Sequence, residues 1–250
     1  MKAPNIYIHH AFLAYDHVVI FNDLNLTIRA GQWTCLLGSS GVGKSTLLRM
    51  IANLVSPNTH IRGEIICDNQ SSLAQQISYM AQSDLLMPWL TVLDNALIGT
   101  QLQGKNSQEY IVRAIELFAK VGMRKDLYKY PHELSGGMRQ RVSLVRTLLQ
   151  DKHVVLMDEP FSALDAITRL ELQSLAANLL KDKTVLLVTH DPLEAVRLSN
   201  EIYILSGRPA VLFPPMKLES PTPRDPSDPE LIRYQSELFG ELMHARELNV

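Results

Sequence analysis

Residues 38–46 read Gly-Ser-Ser-Gly-Val-Gly-Lys-Ser-Thr and fit the pattern GxxxxGK[ST]. The apolar run Trp33–Leu37 before them has the character of a short buried strand, and residues from Lys44 to about Asn53 have helical spacing. A glycine-rich turn between a strand and a helix lets backbone N–H groups surround phosphate oxygens beside a positive helix end. The stretch therefore predicts a phosphate-binding loop made of Gly38, Ser39, Ser40, Gly41, Val42, Gly43, Lys44, Ser45 and Thr46.

Two side chains of this loop suit a nucleotide. The Lys44 ammonium would neutralise the β- and γ-phosphates of ATP, and the Ser45 hydroxyl would ligate Mg²⁺. The alternative is a glycine- and serine-rich turn that carries a surface lysine. The strand before the motif and the helix after it favour phosphate binding.

Two carboxylates follow a second apolar strand, Val154–Met157. Because open α/β sheets bind ligands at the carboxyl ends of their strands, Asp158 would hold Mg²⁺ there, directly or through water. The next residue, Glu159, would polarise the attacking water as a general base. Surface acids at a strand end are the alternative, which the phosphate-binding loop disfavours.

A glycine pair begins another predicted helix. In the run Leu134–Arg141, Ser135 is a natural N-cap, and Gly136 and Gly137 leave the amide end of the helix accessible. The pair indicates a second anion-binding helix end or, alternatively, a helix cap with a flexible turn. Since the first loop already surrounds the phosphates of one nucleotide, the second end would serve another copy of the chain. A head-to-tail homodimer meets this requirement.

Taken together, these motifs resemble those of ATP-binding-cassette ATPases. The phosphate loop, Leu134–Arg141, Asp158–Glu159, Ser162–Asp165 and His190 occur in the family's order, and the likeness covers roughly residues 4 to 210. The resemblance implies an α/β fold, namely a P-loop NTPase with a RecA-like core, an antiparallel β subdomain and a helical subdomain. It also implies ATP hydrolysis.

The resemblance implies roles for four further residues. Tyr15 lies where the family stacks an aromatic on adenine, although a plain strand aromatic is the alternative. Gln82 matches a glutamine that touches Mg²⁺ or the attacking water and links the core to the helical part. Asp165 matches an aspartate that couples the two sites of the dimer. His190 matches a switch histidine that contacts the γ-phosphate.

Periodicity extends the prediction of secondary structure along the chain. The strands Val154–Met157 and Thr184–Thr189 are separated by a helix over Ala166–Leu180, an order that favours a parallel sheet. The other predicted strands and helices are Gly63–Cys67, Ile77–Met80, Val92–Ile98 and Gln108–Val121.

The predicted domain limits follow these patterns. Residues 4–213 form the ATPase domain, with a helical subdomain at about residues 83–134. Residues 214–250 form a proline-rich tail that crosses the body and ends in a helix from about Glu230 to Arg246.

Composition narrows the classes of function. The chain has 250 residues and a net charge of −2, so it lacks the basic footprint of a nucleic-acid-binding protein. No apolar stretch reaches the length of a membrane span, and the N-terminus lacks a signal-peptide core, so a membrane role would require docking. Cys35 and Cys67 lie in apolar runs, which favours reduced thiols and a cytoplasmic setting.

The run Asp84–Asn95, Asp-Leu-Leu-Met-Pro-Trp-Leu-Thr-Val-Leu-Asp-Asn, resembles a segment of importer ATPases for nitrate, sulfonates, taurine and related solutes. Leu205–Pro209 and Pro223–Asp225 are further likenesses to that subfamily. The resemblance implies a peripheral ATPase at the cytoplasmic face of the inner membrane, bound to integral permease subunits. An external solute-binding protein would be an indirect partner.

We hypothesise that part of this run lines the groove that receives a coupling helix of the permease, and that the residues concerned are Leu86, Met87, Pro88 and Trp89. A core-packing segment of the helical subdomain is the alternative. Sulfonates, nitrate, riboflavin-like compounds and thiamine precursors are all compatible solutes, because the permease and the external binding protein select the solute.

Three other functions are alternatives to this one. The nearest is the ATPase subunit of an exporter. A cassette ATPase acting on ribosomes or DNA is disfavoured, since the chain has neither a second cassette nor a long coiled-coil insertion. A regulatory module without turnover is disfavoured by the presence of Glu159 and His190.

Overall fold

The computed structural model describes residues 2–69, 72–105 and 108–247. These residues fall into two compact units, each assembled from separate stretches of chain. The first unit holds the described residues up to Ile77, His153–Asp158 and those from Lys181 onward, and the second holds Ser78–Lys152 and Glu159–Leu180. The predicted helical segment 83–134 lies within the second unit, which extends beyond it on both sides. The predicted domain limits stay a prediction.

The secondary structure alternates between strands and helices. The strands are β1 (Ile6–Tyr15), β2 (Val18–Ile28), β3 (Trp33–Leu37), β4 (Thr59–Cys67), β5 (Ile77–Met80), β6 (Val154–Asp158), β7 (Thr184–Thr189), β8 (Glu201–Ser206), β9 (Val211–Leu212) and β10 (Met216–Lys217). The helices are α1 (Lys44–Ile51), α2 (Leu73–Gln76), α3 (Val92–Leu102), α4 (Gln108–Lys120), α5 (Gly136–Leu149), α6 (Ala166–Leu179), α7 (Pro192–Leu198) and α8 (Pro229–Glu247), with a 3-10 turn at Pro131–Glu133.

A parallel sheet forms the core of the first unit. Its strands β8, β3, β7 and β6 lie side by side in that order and run parallel. Every residue of β3, β6 and β7 is buried, as expected of strands that are covered on both faces. This confirms the α/β class and the parallel pairing that the strand–helix–strand order predicts.

The first unit also contains an antiparallel sheet with the strand order β2-β1-β4. Apolar side chains such as Ile6, Ile8 and Leu13 are buried in it. Tyr15 ends β1 opposite Val18 of β2. The antiparallel part of the predicted fold is therefore present in the same unit as the phosphate loop.

Helices dominate the second unit. α3, α4 and α5 pack against one another, and their contacts bury Ala96, Phe118 and Val145 completely. These apolar positions give each helix one face that must be covered, which is why the three helices associate.

Two short strands lie near the start of the tail. β9, just before residue 214, and β10, within the predicted tail, both pair with β8. Each has only two residues, and Pro209, Pro214 and Pro215 lie outside them. Proline is compatible with short edge strands because it removes a donor only at its own position. The predicted tail helix, about Glu230 to Arg246, is confirmed as α8. Residues 248–250 of the predicted tail lie outside the described residues.

Both cysteines are free and buried. Burial raises the pKa of the Cys35 and Cys67 thiols, so both favour the protonated, unreactive form. Among the described residues, no helix combines the length and the apolar character needed to cross a bilayer.

Candidate functional site

The phosphate loop joins β3 to α1 and requires glycine at two positions. Gly43 has a φ of 114°, and a Cβ there would lie 2.8 Å from Cγ2 of Ile20. A Cβ on Gly38 would collide with the backbone oxygen of Leu205. The glycines thus serve both the turn and its close packing against neighbouring backbone and side chains.

Lys44 is buried, with 5% of its surface exposed. Its Nζ donates to the backbone oxygens of Gly38 and Ser39 at 2.6 and 2.9 Å. The loop therefore folds around the ammonium group and holds it against its own backbone. This arrangement differs from the surface lysine of the alternative interpretation.

Ser45 and Asp158 meet at the carboxyl edge of the parallel sheet. The Ser45 hydroxyl donates to Oδ1 of Asp158 at 3.0 Å, and Asp158 is 1% exposed. Mg²⁺ prefers oxygen ligands such as hydroxyl and carboxylate oxygens. It is normally bound by one or two carboxylates together with substrate phosphates and water. Within the described residues no group of three His, Cys, Asp or Glu residues could hold a metal. The pair therefore fits a Mg²⁺ ion that arrives with a nucleotide.

His190 leaves the sheet beside the phosphate loop. Leu37 of β3 and Thr189 of β7 are register partners, so the residues after them, Gly38 and His190, emerge at the same edge. Asp158 pairs with Val188, one residue before Thr189. The first unit thus brings the phosphate loop, Asp158 and His190 to one edge of its sheet.

Gln82 and Glu159 meet in the second unit. Nε2 of Gln82 donates to Oε2 of Glu159 at 3.4 Å. Glu159 has a φ of 47°, in the left-handed region that a residue with a side chain rarely adopts. Backbone strain of this kind persists where surrounding contacts enforce it, and it is concentrated at functional sites.

Gln140 supplies such contacts, and sequence reasoning assigned it no role. Its Nε2 donates to the backbone oxygen of Glu159 at 3.1 Å, and its Oε1 accepts from the Ala163 N–H at 3.0 Å. The Ser162 hydroxyl also donates to the Glu159 oxygen. Gln140 therefore fixes the backbone of residues 159–163. Its position within Leu134–Arg141 was the only sequence signal for it.

The second predicted phosphate-binding end is open within its own unit. Ser135 and Gly136 are exposed, and the Ser135 Oγ accepts from the Met138 N–H at 3.3 Å. A Cβ on Gly136 would meet nothing nearer than an Arg139 side-chain nitrogen at 3.9 Å, whereas one on Gly137 would lie 3.3 Å from the Ala163 oxygen.

Asp165 and Tyr15 lie at the ends of elements. Asp165 is the N-cap of α6, and its carboxylate accepts from the Thr168 N–H at 3.1 Å. This backbone hydrogen bond, with the Thr168 side chain, holds the pKa of Asp165 below its ordinary value, so the group stays ionised at neutral pH. Tyr15 is half-buried at the end of β1. The coupling role of Asp165 and the adenine-stacking role of Tyr15 stay predictions.

The run Asp84–Asn95 is held firmly within the second unit. Asn95 is fully buried, and its amide donates to the oxygens of Met87, Leu90 and Thr91 at 3.0–3.1 Å. The Asn95 Oδ1 accepts from the Met87 N–H at 2.7 Å. One buried side chain thereby fixes five residues of the chain that form neither helix nor strand.

Arginines of α5 hold the start of the same run. Arg146 donates to the backbone oxygens of Asp84 and Leu85 at 2.6 and 2.9 Å. Arg139 forms a 2.9 Å ion pair with the Asp84 carboxylate. Together with Asn95, these contacts give the run a defined shape.

Large apolar side chains project from this fixed run. Trp89 is 71% exposed and Leu85 is 58% exposed. Backbone hydrogen bonds from Val92 to Lys129 and from Leu93 to Leu127 bring residues 127–130 alongside, and Tyr128 there is 78% exposed. We call Trp89 and Tyr128 the aromatic surface.

Comparison with known proteins extends these observations. Residues 21–162 match the family described as ABC transporter. The chain is 41% identical to the aliphatic sulfonates import ATP-binding protein SsuB 1 of Rhodococcus jostii, over 92% of this chain and 90% of the relative. It is 36% identical to the taurine import ATP-binding protein TauB of Yersinia pestis bv. Antiqua, over 94% of this chain and 95% of the relative.

The fold is also similar to a solved dimeric structure of an ATP-binding cassette in a post-hydrolysis state, bound to ADP and Pi. The TM-score is 0.74 and the sequences are 28% identical, with 86% of this chain and 99% of that chain covered. The match extends well beyond the motifs to most of both chains.

Proposed function

Because this chain belongs to the ABC transporter family of ATP-binding proteins, whose members in transporters are ATPases, we propose that it drives the import of an organosulfonate through a membrane permease. The proposal has three parts, which are ATP hydrolysis by a homodimer, docking to a permease at the cytoplasmic face of the membrane, and sulfonate as the class of solute. Each part is supported by different residues.

Nucleotide binding rests on the first unit. The loop N–H groups and the Lys44 ammonium bind the phosphates, and Lys44 exchanges its bonds to the Gly38 and Ser39 oxygens for phosphate oxygens. The Ser45 hydroxyl and the Asp158 carboxylate hold Mg²⁺. When bound, this ion neutralises phosphate charge. Tyr15 stacks on adenine.

Water activation rests on Glu159. Its carboxylate accepts a proton from the attacking water while Gln82, at 3.4 Å, orients the carboxylate. Gln140 and Ser162 hold the backbone of Glu159 in its left-handed conformation, so the carboxylate keeps one direction. His190 donates a hydrogen bond to the γ-phosphate, and this contact is lost when the phosphate leaves after hydrolysis.

The exposed end of α5 supports a dimer. Ser135, Gly136 and Gly137 bind the ATP held by the partner copy, because backbone N–H groups at the first turn of a helix have no acceptor within that helix. Two ATP molecules then join two copies head to tail, and Asp165 couples the two sites. Loss of phosphate removes these contacts and the dimer reopens.

The aromatic surface carries the proposal of a permease partner. A tryptophan that is 71% exposed on a run fixed by Asn95 and Arg146 is available for a partner at little entropic cost. The exposure of Trp89 and Pro88 disfavours the core-packing alternative, although Leu86 and Met87 are half-buried. We propose that a short amphipathic helix of the permease packs on this surface.

Sulfonate is the solute class that the relatives support. Two relatives that align over at least nine-tenths of this chain carry names that specify import of aliphatic sulfonates or taurine, and taurine is itself a sulfonate. Those names also favour import over export. An external binding protein would deliver the sulfonate to the permease.

Replacement of Trp89 tests the permease partner. We expect Trp89→Glu to lower permease-coupled ATPase and transport about tenfold or more, because it places a charge in an apolar contact, while ATPase of the isolated chain stays near wild type. Leu102→Glu is the matched control, since Leu102 is 84% exposed on α3 outside the aromatic surface. Equal loss of coupled and isolated activity in Trp89→Glu would refute the docking surface.

Uptake by the native complex tests the solute. Tagged full-length chain is used to purify its membrane partner, and the complex is reconstituted in vesicles with its external binding protein. We expect ATP-dependent uptake of taurine or a short alkanesulfonate and none of nitrate. Uptake of nitrate alone would overturn the sulfonate assignment and leave the ATPase assignment intact.

A further inference from the structure

Arg224 lies in the proline-rich tail and is nevertheless 2% exposed. Its Nη1 donates to the backbone oxygens of Val196 and Ser199 at 2.6 and 2.8 Å, and its own N–H donates to the Arg197 oxygen at 2.9 Å. All three oxygens belong to the C-terminal end of α7. One tail residue therefore satisfies three acceptors of a single helix end.

α7 depends on such contacts because it has only seven residues. The last carbonyl groups of a helix have no partner within the helix, and helices of two turns are unstable in isolation. A guanidinium group at this end satisfies the carbonyl groups and complements the negative end of the helix dipole. Lysine has a single nitrogen and could not hold these oxygens together with those of Ser220, as the three guanidinium nitrogens of Arg224 do.

The N-terminal end of α7 is fixed to the strand that precedes it. The Asp191 carboxylate accepts from the N–H groups of Leu193 and Glu194, and the Asp191 N–H donates to the Thr189 hydroxyl at 3.0 Å. His190 lies between Thr189, the last residue of β7, and Asp191. Its backbone is therefore held between the end of β7 and the start of α7.

The guanidinium is itself anchored by the tail. Nε and Nη2 of Arg224 donate to the side-chain and backbone oxygens of Ser220 at 2.8 and 2.6 Å. The guanidinium carbon lies 5.6 Å from the ring centroid of Tyr234 in α8. The contacts form a continuous path from α8 through Arg224 to α7 and His190.

We propose that Arg224 is a positioning residue for His190, so that the proline-rich tail controls the rate of ATP hydrolysis rather than the affinity for ATP. The proposal rests on the assigned role of His190 at the γ-phosphate. It gives the Pro223–Asp225 stretch, which resembles the importer subfamily, a role within the ATPase itself.

Kinetics of the full-length chain test the proposal. We expect Arg224→Ala to lower kcat about tenfold, as displaced catalytic groups do, with the KM for ATP within about twofold of wild type because the phosphate loop is untouched. Arg233→Ala is the matched control. Arg233 also lies over the Tyr234 ring, at 5.0 Å, but is exposed and bonds no atom of α7 among the described residues. Its kcat should equal that of wild type.

A double variant separates positioning from general destabilisation. If Arg224 acts through His190, the variant that combines His190→Ala and Arg224→Ala has the kcat of His190→Ala alone. The proposal would be overturned if the fold-decrease in kcat of the double variant equalled the product of the decreases in the two single variants. A wild-type kcat in folded Arg224→Ala would also overturn it. If Arg224→Ala does not fold, Arg224→Lys is used in the same cycle and meets the same criteria. A wild-type kcat in His190→Ala would instead refute the proposed role of His190, a result distinct from either of these.

Discussion

Helix α1 begins after Gly43, which has a φ of 114° and offers no side-chain cap, whereas α5 begins after Ser135, whose hydroxyl accepts from the Met138 N–H. The first end carries a buried lysine that is already directed into its loop. The second end carries no charged residue before Arg139, and its first two residues are exposed glycine and serine. The two ends therefore differ in how much of a phosphate site the chain completes on its own.

The two ends contribute different parts of a phosphate site. The first end has most parts of the proposed site in one chain, because the turn, the Lys44 ammonium and the oxygens proposed to bind Mg²⁺ occur together. The second end provides backbone N–H groups and one hydroxyl, which suit a phosphate already bound elsewhere. Five substitutions test this contrast.

The largest effect is expected from Glu159→Gln. Loss of the general base should lower hydrolysis about a thousandfold while both phosphate-binding ends stay intact. The variant should therefore bind ATP and accumulate as a dimer, measured by ATPase assay and by light scattering with and without ATP. Wild-type turnover would refute the general-base role, and a monomer in saturating ATP would argue that the α5 end does not bind the partner's nucleotide.

Lys44→Ala changes the first phosphate-binding end only. Removal of the buried ammonium should lower ATPase about a hundredfold and weaken ATP binding, measured by calorimetry. Arg49→Ala, which changes an exposed side chain in the last turn of the same helix, should leave both unchanged. If Lys44→Ala kept the wild-type affinity for ATP, the Lys44 charge would not make the first end a stronger phosphate site than the second.

A matched pair of glycine substitutions separates effects on folding from effects on nucleotide binding. Gly43→Ala should destabilise the chain by about 1 kcal/mol or more, because a side chain disfavours this positive φ and its Cβ would lie 2.8 Å from Ile20. Gly136→Ala meets no such obstacle, so its free energy of unfolding in urea should match that of wild type. Its ATPase should nevertheless fall about tenfold, because the added methyl group displaces the partner's nucleotide. Wild-type ATPase in Gly136→Ala would remove the main support for a site shared between copies.

Much of the fold follows from local sequence pattern. The continuous apolar runs of β3, β6 and β7 and the glycines of the phosphate loop are local signals, and the structure has the predicted strands and helices there. β8 was not predicted, although Ile202–Leu205 is a continuous apolar run and only the first residue of the strand, Glu201, is charged. This buried glutamate is paired with Arg29 at 2.8 Å, a contact between residues far apart in the chain.

The residues of the candidate site also fall into those that local sequence reveals and those that only the folded chain reveals. Residues that occur in contiguous motifs, such as Lys44 and Asp158, could be named from sequence, and the structure brings Ser45 to Asp158. Gln140 and Asn95 could not be given roles, because each acts by hydrogen bonds to backbone groups that only the folded chain brings near. Arg224 was part of a noted motif, but its contact with α7 depends on the path of the tail.

The smallest effect is expected from Ser135→Ala, which removes one cap and one phosphate contact. Loss of the hydrogen bond from Met138 should lower the free energy of unfolding by about 1 kcal/mol. Because the N–H groups of Gly136 and Gly137 remain, ATPase should fall only about threefold to tenfold, less than the full contribution of one hydrogen bond to a charged group. Ser135→Thr keeps the hydroxyl and should recover most of the stability. If Ser135→Ala lost stability but no activity, the hydroxyl would serve the helix alone, and binding of the partner's phosphate would rest on the backbone of α5.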